Sequence, residues 1–163
     1  MNKITCTLPL ELRWIPLIHQ WVGGYVKAVE FTPTLEELLM SSVEEACGEL
    51  LRRAEELHIT GNFRLELGYN GEVLEISIAY NHKIPLNPLK DAPYEVPDVD
   101  ADLDQIQMDA LWIFLIKRYM DRVYFQIDGS DHLLRMQKFT RARGEEKRVW
   151  VMGLTPCIKP GIN

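Results

Sequence analysis

Two runs of alternating residues flank an Asn-Gly pair in this chain. Phe63, Leu65, Leu67 and Tyr69 alternate with polar residues on one side of Asn70-Gly71; Leu74, Ile76, Ile78 and Tyr80 alternate on the other. Period two on both sides of such a turn defines an antiparallel hairpin with one apolar face. A hairpin alone is marginal in water, so that face needs a cover. The residues just before it supply one. Leu35, Leu39, Val43, Ala46, Leu50, Ala54 and Leu57 recur at helical spacing, a stripe about six turns long. Pro33-Thr34 precedes this helix, and Thr34 with Glu37 has the spacing of a capping box. A helix packed on a hairpin already places the chain in the α+β class.

The remaining segments extend that unit. Residues 4–8 have the β-branched character of a short strand. Trp14, Leu17, Ile18, Trp21, Tyr25 and Val29 then mark a first helix, with Pro16 in its first turn and a weakening Gly23-Gly24 pair. Residues 81–104 carry four prolines and a cluster of aspartates without periodicity, which predicts a lid and the least ordered internal part of the chain. A third helix is expected from about Leu103 to Met120, followed by strands Arg122–Asp128 and His132–Phe139, and a final strand at about 147–154. The expected architecture is a two-layer α+β sandwich. Helices at 14–30, 34–58 and 104–120 lie on one face of a mixed, mostly antiparallel sheet, in a single domain spanning 1–163.

Composition narrows the function classes. The chain has 163 residues, 47% apolar and 26% charged, and a net charge of −6, which argues against a general nucleic-acid binder. No apolar run approaches the roughly 20 residues of a membrane span, and the N-terminus lacks a secretion signal's apolar core, so a cytoplasmic location is expected. Cys6, Cys47 and Cys157 are too scattered for a disulfide framework, and His19, His58, His82 and His132 show no metal-ligand spacing. Half of the 18 Lys and Arg residues fall within 117–148, and seven carboxylates without a basic residue fall within 91–109. That asymmetry reads either as ordinary solvated surface or as a pair of surfaces for a charged protein partner.

Three stretches resemble the ATP-binding domain shared by histidine kinases, gyrases and bacterial anti-sigma-factor serine kinases (the GHKL, or histidine-kinase-like, ATPase fold), closest to the anti-sigma-factor branch, across about residues 1–142. Ser42-Val43-Glu44-Glu45-Ala46-Cys47-Gly48-Glu49 resembles the family's N box, in which a Glu-Ala pair is followed by Asn. Ile76–Pro85 stands where the family has its Asp-x-Gly-x-Gly box, and Ala110–Val123 resembles its glycine-rich helix and the following Asp-x-Val strand. The resemblance implies a base at Glu45, a magnesium ligand at Glu49 in place of Asn, an adenine contact at Tyr80 or Asn81, and phosphate-facing positions at Ala110 and Trp112. Glycine there lets a phosphate chain pass at backbone distance; an indole does not. His82 and Ile84 likewise stand where glycines are expected.

The boxes therefore read as degenerate. The resemblance implies a regulatory protein that binds a protein partner of sigma-factor or antagonist type, with no nucleic acid or membrane partner and with a homodimer allowed. No cofactor is expected. The alternative is an active ATP-dependent protein-serine kinase or ATPase using ATP and magnesium, with Glu45 as base and Glu49 as metal ligand. Glu45 and Glu49 at i, i+4 are also compatible with a solvated helix flank, Glu49 pairing with Arg53. We expect the cleft beside the second helix to be partly filled by Trp112 and Ile84, with Glu49 turned toward Arg53 or water.

Overall fold

The hairpin forms as its alternation requires, and the rest of the sheet grows outward from it. In the computed structural model, residues 2–29, 31–87, 100–128, 131–140 and 155–156 are described. The elements run β1 (Asn2–Pro9), a 3-10 turn (Leu12–Trp14), α1 (Ile15–Ala28), α2 (Pro33–Glu56), β2 (Asn62–Tyr69), β3 (Val73–Asn81), a second 3-10 turn (Leu103–Gln105), α3 (Met108–Tyr119), β4 (Arg122–Asp128), β5 (Asp131–Phe139) and β6 (Thr155–Pro156). Strand order is β1-β2-β3-β5-β4-β6. The first five strands pair antiparallel, and β6 adds a short parallel bridge beside Gln126 and Ile127 of β4.

Register explains why one face of the sheet is apolar. Leu65 pairs with Ile78, Leu67 with Ile76, Ile76 with Met136, and Phe125 with Leu134. These buried side chains share one core with Ile18, Val22 and Val26 of α1, Leu39, Val43, Ala46 and Leu50 of α2, and Ile113 and Ile116 of α3. The three helices therefore cover a single face. A Cβ on Gly23 or Gly24 would meet nothing within 4 Å, so α1 holds through its packed face and not through a close backbone approach.

The other face is polar. Glu75 accepts hydrogen bonds from Lys3 Nζ and Gln137 Nε2, each at 2.8 Å, with Arg135 Nε at 3.7 Å. Burial pushes its carboxyl up, but these donors and cations outweigh burial and hold it below the ordinary glutamate value. The network ties β1, β3 and β5 together across the sheet.

Several boundaries differ from the expectation. The cap of α2 is Thr32, whose hydroxyl accepts from Leu35 N at 3.4 Å, so Thr34 lies inside the first turn. Pro33 fixes this, because its locked φ and missing N–H suit the first helical position. α3 begins at Met108 and not near Leu103. Asp102 makes no cap bond, and Ile106 and Gln107 are extended (ψ 128° and 137°). In the hairpin, Asn70 N donates to Val73 O, so Gly71 and Glu72 are the central turn residues, one later than Asn-Gly. Gly71 supplies the required positive φ of 91°. Asn70 Oδ1 braces the turn by accepting from Glu72 N and Val73 N.

The expected strand at about 147–154 and residues 88–99 of the expected lid lie outside the described residues. The described start of the lid, 81–87, is packed: Ile84 and Leu86 are buried. Among the described residues, no helix is long and apolar enough to cross a membrane.

Candidate functional site

The helical phase of α2 decides what its carboxylates can meet. Its apolar stripe faces the core, leaving Glu45 and Glu49 partly buried on the flank. Glu49 is held by two arginines of its own helix. Arg53 Nε lies 2.5 Å from Oε1, Arg52 Nη2 lies 2.7 Å from the same oxygen, and Arg52 Nε donates to Oε2 at 2.9 Å. Burial pushes the Glu49 carboxyl up, yet the hydrogen bonds from Arg52 and Arg53 outweigh it and keep it below the ordinary value.

Arg53 is the hub. Its side chain is 12% exposed, against 9% for Glu49. A guanidinium N–H donates to the Pro85 carbonyl, which fastens the segment after β3 to α2. The same guanidinium stands 5.9 Å from the centre of the Trp112 ring, a cation–π distance. Trp112, 4% exposed, packs edge-on against Phe125 with centroids 6.5 Å apart. Ile84, next to Pro85 in the chain, is fully buried. Arg53 thus draws together Glu49, the Pro85 carbonyl and the Trp112 ring.

The remaining candidates separate. Ala110 is buried in the first turn of α3, its N–H donating to Gln107 O at 2.8 Å. Asn81 turns into its own backbone: Oδ1 accepts from Lys83 N at 2.9 Å, and its carbonyl accepts from Ile84 N at 3.0 Å. It lines a polar cavity of about 340 Å³ at the end of the sheet, with His82, Lys83, Asn62 and Asp131. A second cavity, about 490 Å³, opens where α2 begins, lined by Phe31, Leu35, Tyr69 and Phe139 among others. Leu35 and Glu49 are about 20 Å apart along the helix, so the second cavity is not the cleft at Glu49, and the lining of the first includes no residue of α2 or α3.

The chemistry of the assembled cleft is that of a neutralised lock. Glu49 spends its oxygens on guanidinium donors, leaving a poor set for a cation that wants several oxygen ligands. Among the described residues, no group of three or more His, Cys, Asp or Glu side chains is placed to hold a metal. Cys47 is a core residue, its thiol pushed up to about 12 by burial. Sequence reasoning missed the reach of Arg53. Its i, i+4 spacing from Glu49 was readable, but its contacts with Pro85 and Trp112 carry no local signal.

Glu45 differs from Glu49. Burial first, then the charges of Glu44 and Glu49, raise its carboxyl above the ordinary value. A raised carboxylic acid favours folding most below the unfolded pKa, and that advantage is lost as pH rises through the folded pKa. Glu45→Gln should therefore stabilise the protein at pH 7. Solvent screening at this half-buried position limits the gain to less than about 1 kcal/mol. The gain should vanish near pH 4, and urea unfolding at the two pH values measures it. An equal gain at both would show that charge is not its source.

No protein-family model matches the chain, and no curated protein matches it in sequence.

Proposed function

We propose that this chain is a regulatory protein of histidine-kinase-like ATPase build, of the anti-sigma-factor type, that acts by binding a protein partner and no longer binds nucleotide. The reading is supported by the stretches at 42–49, 76–85 and 110–123, which fall on α2, on β3 with the turn after it, and on α3 with the start of β4. The observation that carries the loss of nucleotide is the Arg53 hub. One guanidinium joins Glu49, the Pro85 carbonyl and the Trp112 ring across the place where phosphates would lie in the resembling enzymes. Phosphoryl transfer depends on positioning and charge neutralisation by a metal, and here the oxygens of Glu49 are taken by Arg52 and Arg53.

The polar sheet face and the flank of α2 remain as surfaces for a partner. By the resemblance, that partner is a sigma factor or an antagonist of one.

One observation favours the alternative of an active serine kinase. The Glu45 carboxyl is raised, and a general base works best when its pKa approaches the operating pH. Titration with magnesium and ATP separates the two readings. A ligand at 100 times its dissociation constant adds about 2.7 kcal/mol of stability. We expect no shift of the unfolding midpoint at millimolar ATP with magnesium, and no heat of binding. Saturable binding, or phosphoryl transfer abolished by Glu45→Gln, would establish the kinase instead.

A further inference from the structure

The core stops short where α2 begins. Phe31 and Tyr69 pack against it, edge to face with each other at a centroid distance of 4.9 Å. Both rings also line the cavity of about 490 Å³, together with Leu35 and Leu38, which are only partly buried. That volume falls in the roughly 300–1,000 Å³ range of small-molecule sites, which join mostly apolar walls to a few placed polar groups. Hydrogen bonds fix one wall. Thr140 N and Oγ1 both donate to Glu72 O, at 2.8 and 3.0 Å. A threonine hydroxyl has one hydrogen, so Tyr69 is the donor in its 3.2 Å contact with Thr140 Oγ1.

The charge of the lining is one-sided. Among the described residues, Lys138 is the one charged side chain that lines this cavity, in a chain of net charge −6. Register sets its direction: Tyr69, Leu74 and Lys138 form one row across β2, β3 and β5, on the face that the helices cover. Asp121, which is not part of the lining, holds the ammonium through Oδ1 at 3.1 Å. Its Oδ2 accepts from Phe139 N at 2.8 Å, so the carboxylate is itself fixed. An ammonium has three N–H groups, and Asp121 takes one.

We propose that this cavity binds a small planar molecule with an apolar ring system and one carboxylate. The rings lie among Phe31, Leu35 and Tyr69, and the carboxylate accepts from Lys138 Nζ. Each part of that description has a reason. A flat ring gains edge or stacking contacts from the two aromatic walls that an aliphatic chain of equal volume forgoes. A single carboxylate matches a single ammonium, and a hydrogen bond between charged groups is stronger than one between neutral groups. A doubly charged phosphate ester would bring a second charge with no second cation to meet it. A cationic ligand would meet Lys138 and no acid of the lining. The site lies about 20 Å along α2 from Glu49 and stands apart from the question of nucleotide.

Amide NMR titration of the full chain with indole-3-acetate, and with indole-3-acetamide as its uncharged counterpart, tests it. In the wild type, saturable shifts should gather at residues 31–38, 69–71 and 138–140. The acid should bind about 5-fold tighter than the amide, or more. Lys138→Met, which keeps the aliphatic stem, should bring the acid down to the affinity of the amide and leave the amide unchanged. Leu35→Glu puts a carboxylate into the apolar wall, in the first turn of α2 where an acid is tolerated, and should weaken both probes by about 10-fold. A wild type whose cavity amides do not move with about 2 mM indole-3-acetate overturns the proposal. Equal affinities for acid and amide overturn it too, as does a preference for the acid that survives in Lys138→Met.

Discussion

Arg53→Met lowers the unfolding free energy by about 3 kcal/mol, more than the loss of a surface ion pair can explain. Methionine keeps most of the aliphatic stem against Trp112 and removes only the guanidinium. Glu49 then stays largely buried with Arg52 as its remaining partner, and Arg52 is 43% exposed and shared with Glu56. The Pro85 carbonyl loses its charged donor at the same moment. Glu49→Leu alone should cost less, because Arg53 keeps Pro85 and the Trp112 ring. The double variant should be more stable than the sum of the two losses predicts, since it no longer buries a poorly paired charge. The pH dependence gives a separate check. A carboxyl held below its ordinary value stabilises the fold fully above the unfolded pKa and loses that contribution as pH falls through the folded pKa. Acid unfolding of Arg53→Met should therefore begin from a lower plateau and fall less steeply below the ordinary glutamate range than the wild type does. Parallel acid limbs would mean that Glu49 owes its low pKa to Arg52 alone.

How the same residues could be read from sequence follows from the range of the forces involved. Period two in Phe63–Tyr69 and Leu74–Tyr80, and the stripe from Leu35 to Leu57, are local patterns made by burial on one face, and both elements stand within two residues of the expectation. Ends are harder, because caps compete. Thr32 and Thr34 are both good capping residues, and only the fixed φ of Pro33 between them selects the first. The start of α3 differs from the expectation because apolar Leu103 and Ile106 fit the helical period, yet Ile106 and Gln107 are extended and break the helix there. In the cleft, the Glu49–Arg53 pair is a one-turn contact and visible as such. The bond to Pro85 spans 32 residues of sequence. The stack on Trp112 spans still more, and neither has any period to betray it. Asn81 carried its own signal: a short amide before a turn tends to accept from the backbone two residues on, as it does from Lys83.

Trp112→Ala costs about 3–5 kcal/mol, the usual range for a buried aromatic whose neighbours cannot collapse into its place. The indole is almost fully buried, touches Phe125 edge-on and lies under the Arg53 guanidinium, so its removal forfeits area, a ring pair and a cation–π contact together. Trp112→Phe keeps part of each and should cost clearly less. Neither change should create a nucleotide site. Opening space at the start of α3 leaves Arg53 paired to Glu49 and bound to Pro85, so its guanidinium stays engaged and is not offered to a phosphate. Glu49→Asn supplies the residue type that the resemblance implies for magnesium, but Arg53 stays bound to Pro85 beside the indole. Each single variant should therefore show no thermal shift with millimolar magnesium and ATP. Only Trp112→Gly with Glu49→Asn removes both obstacles, and it is the variant in which weak binding is expected if enough stability survives. If Glu49→Asn alone binds magnesium and ATP tightly, the indole was never in the way, and the steric account of the lost site is wrong.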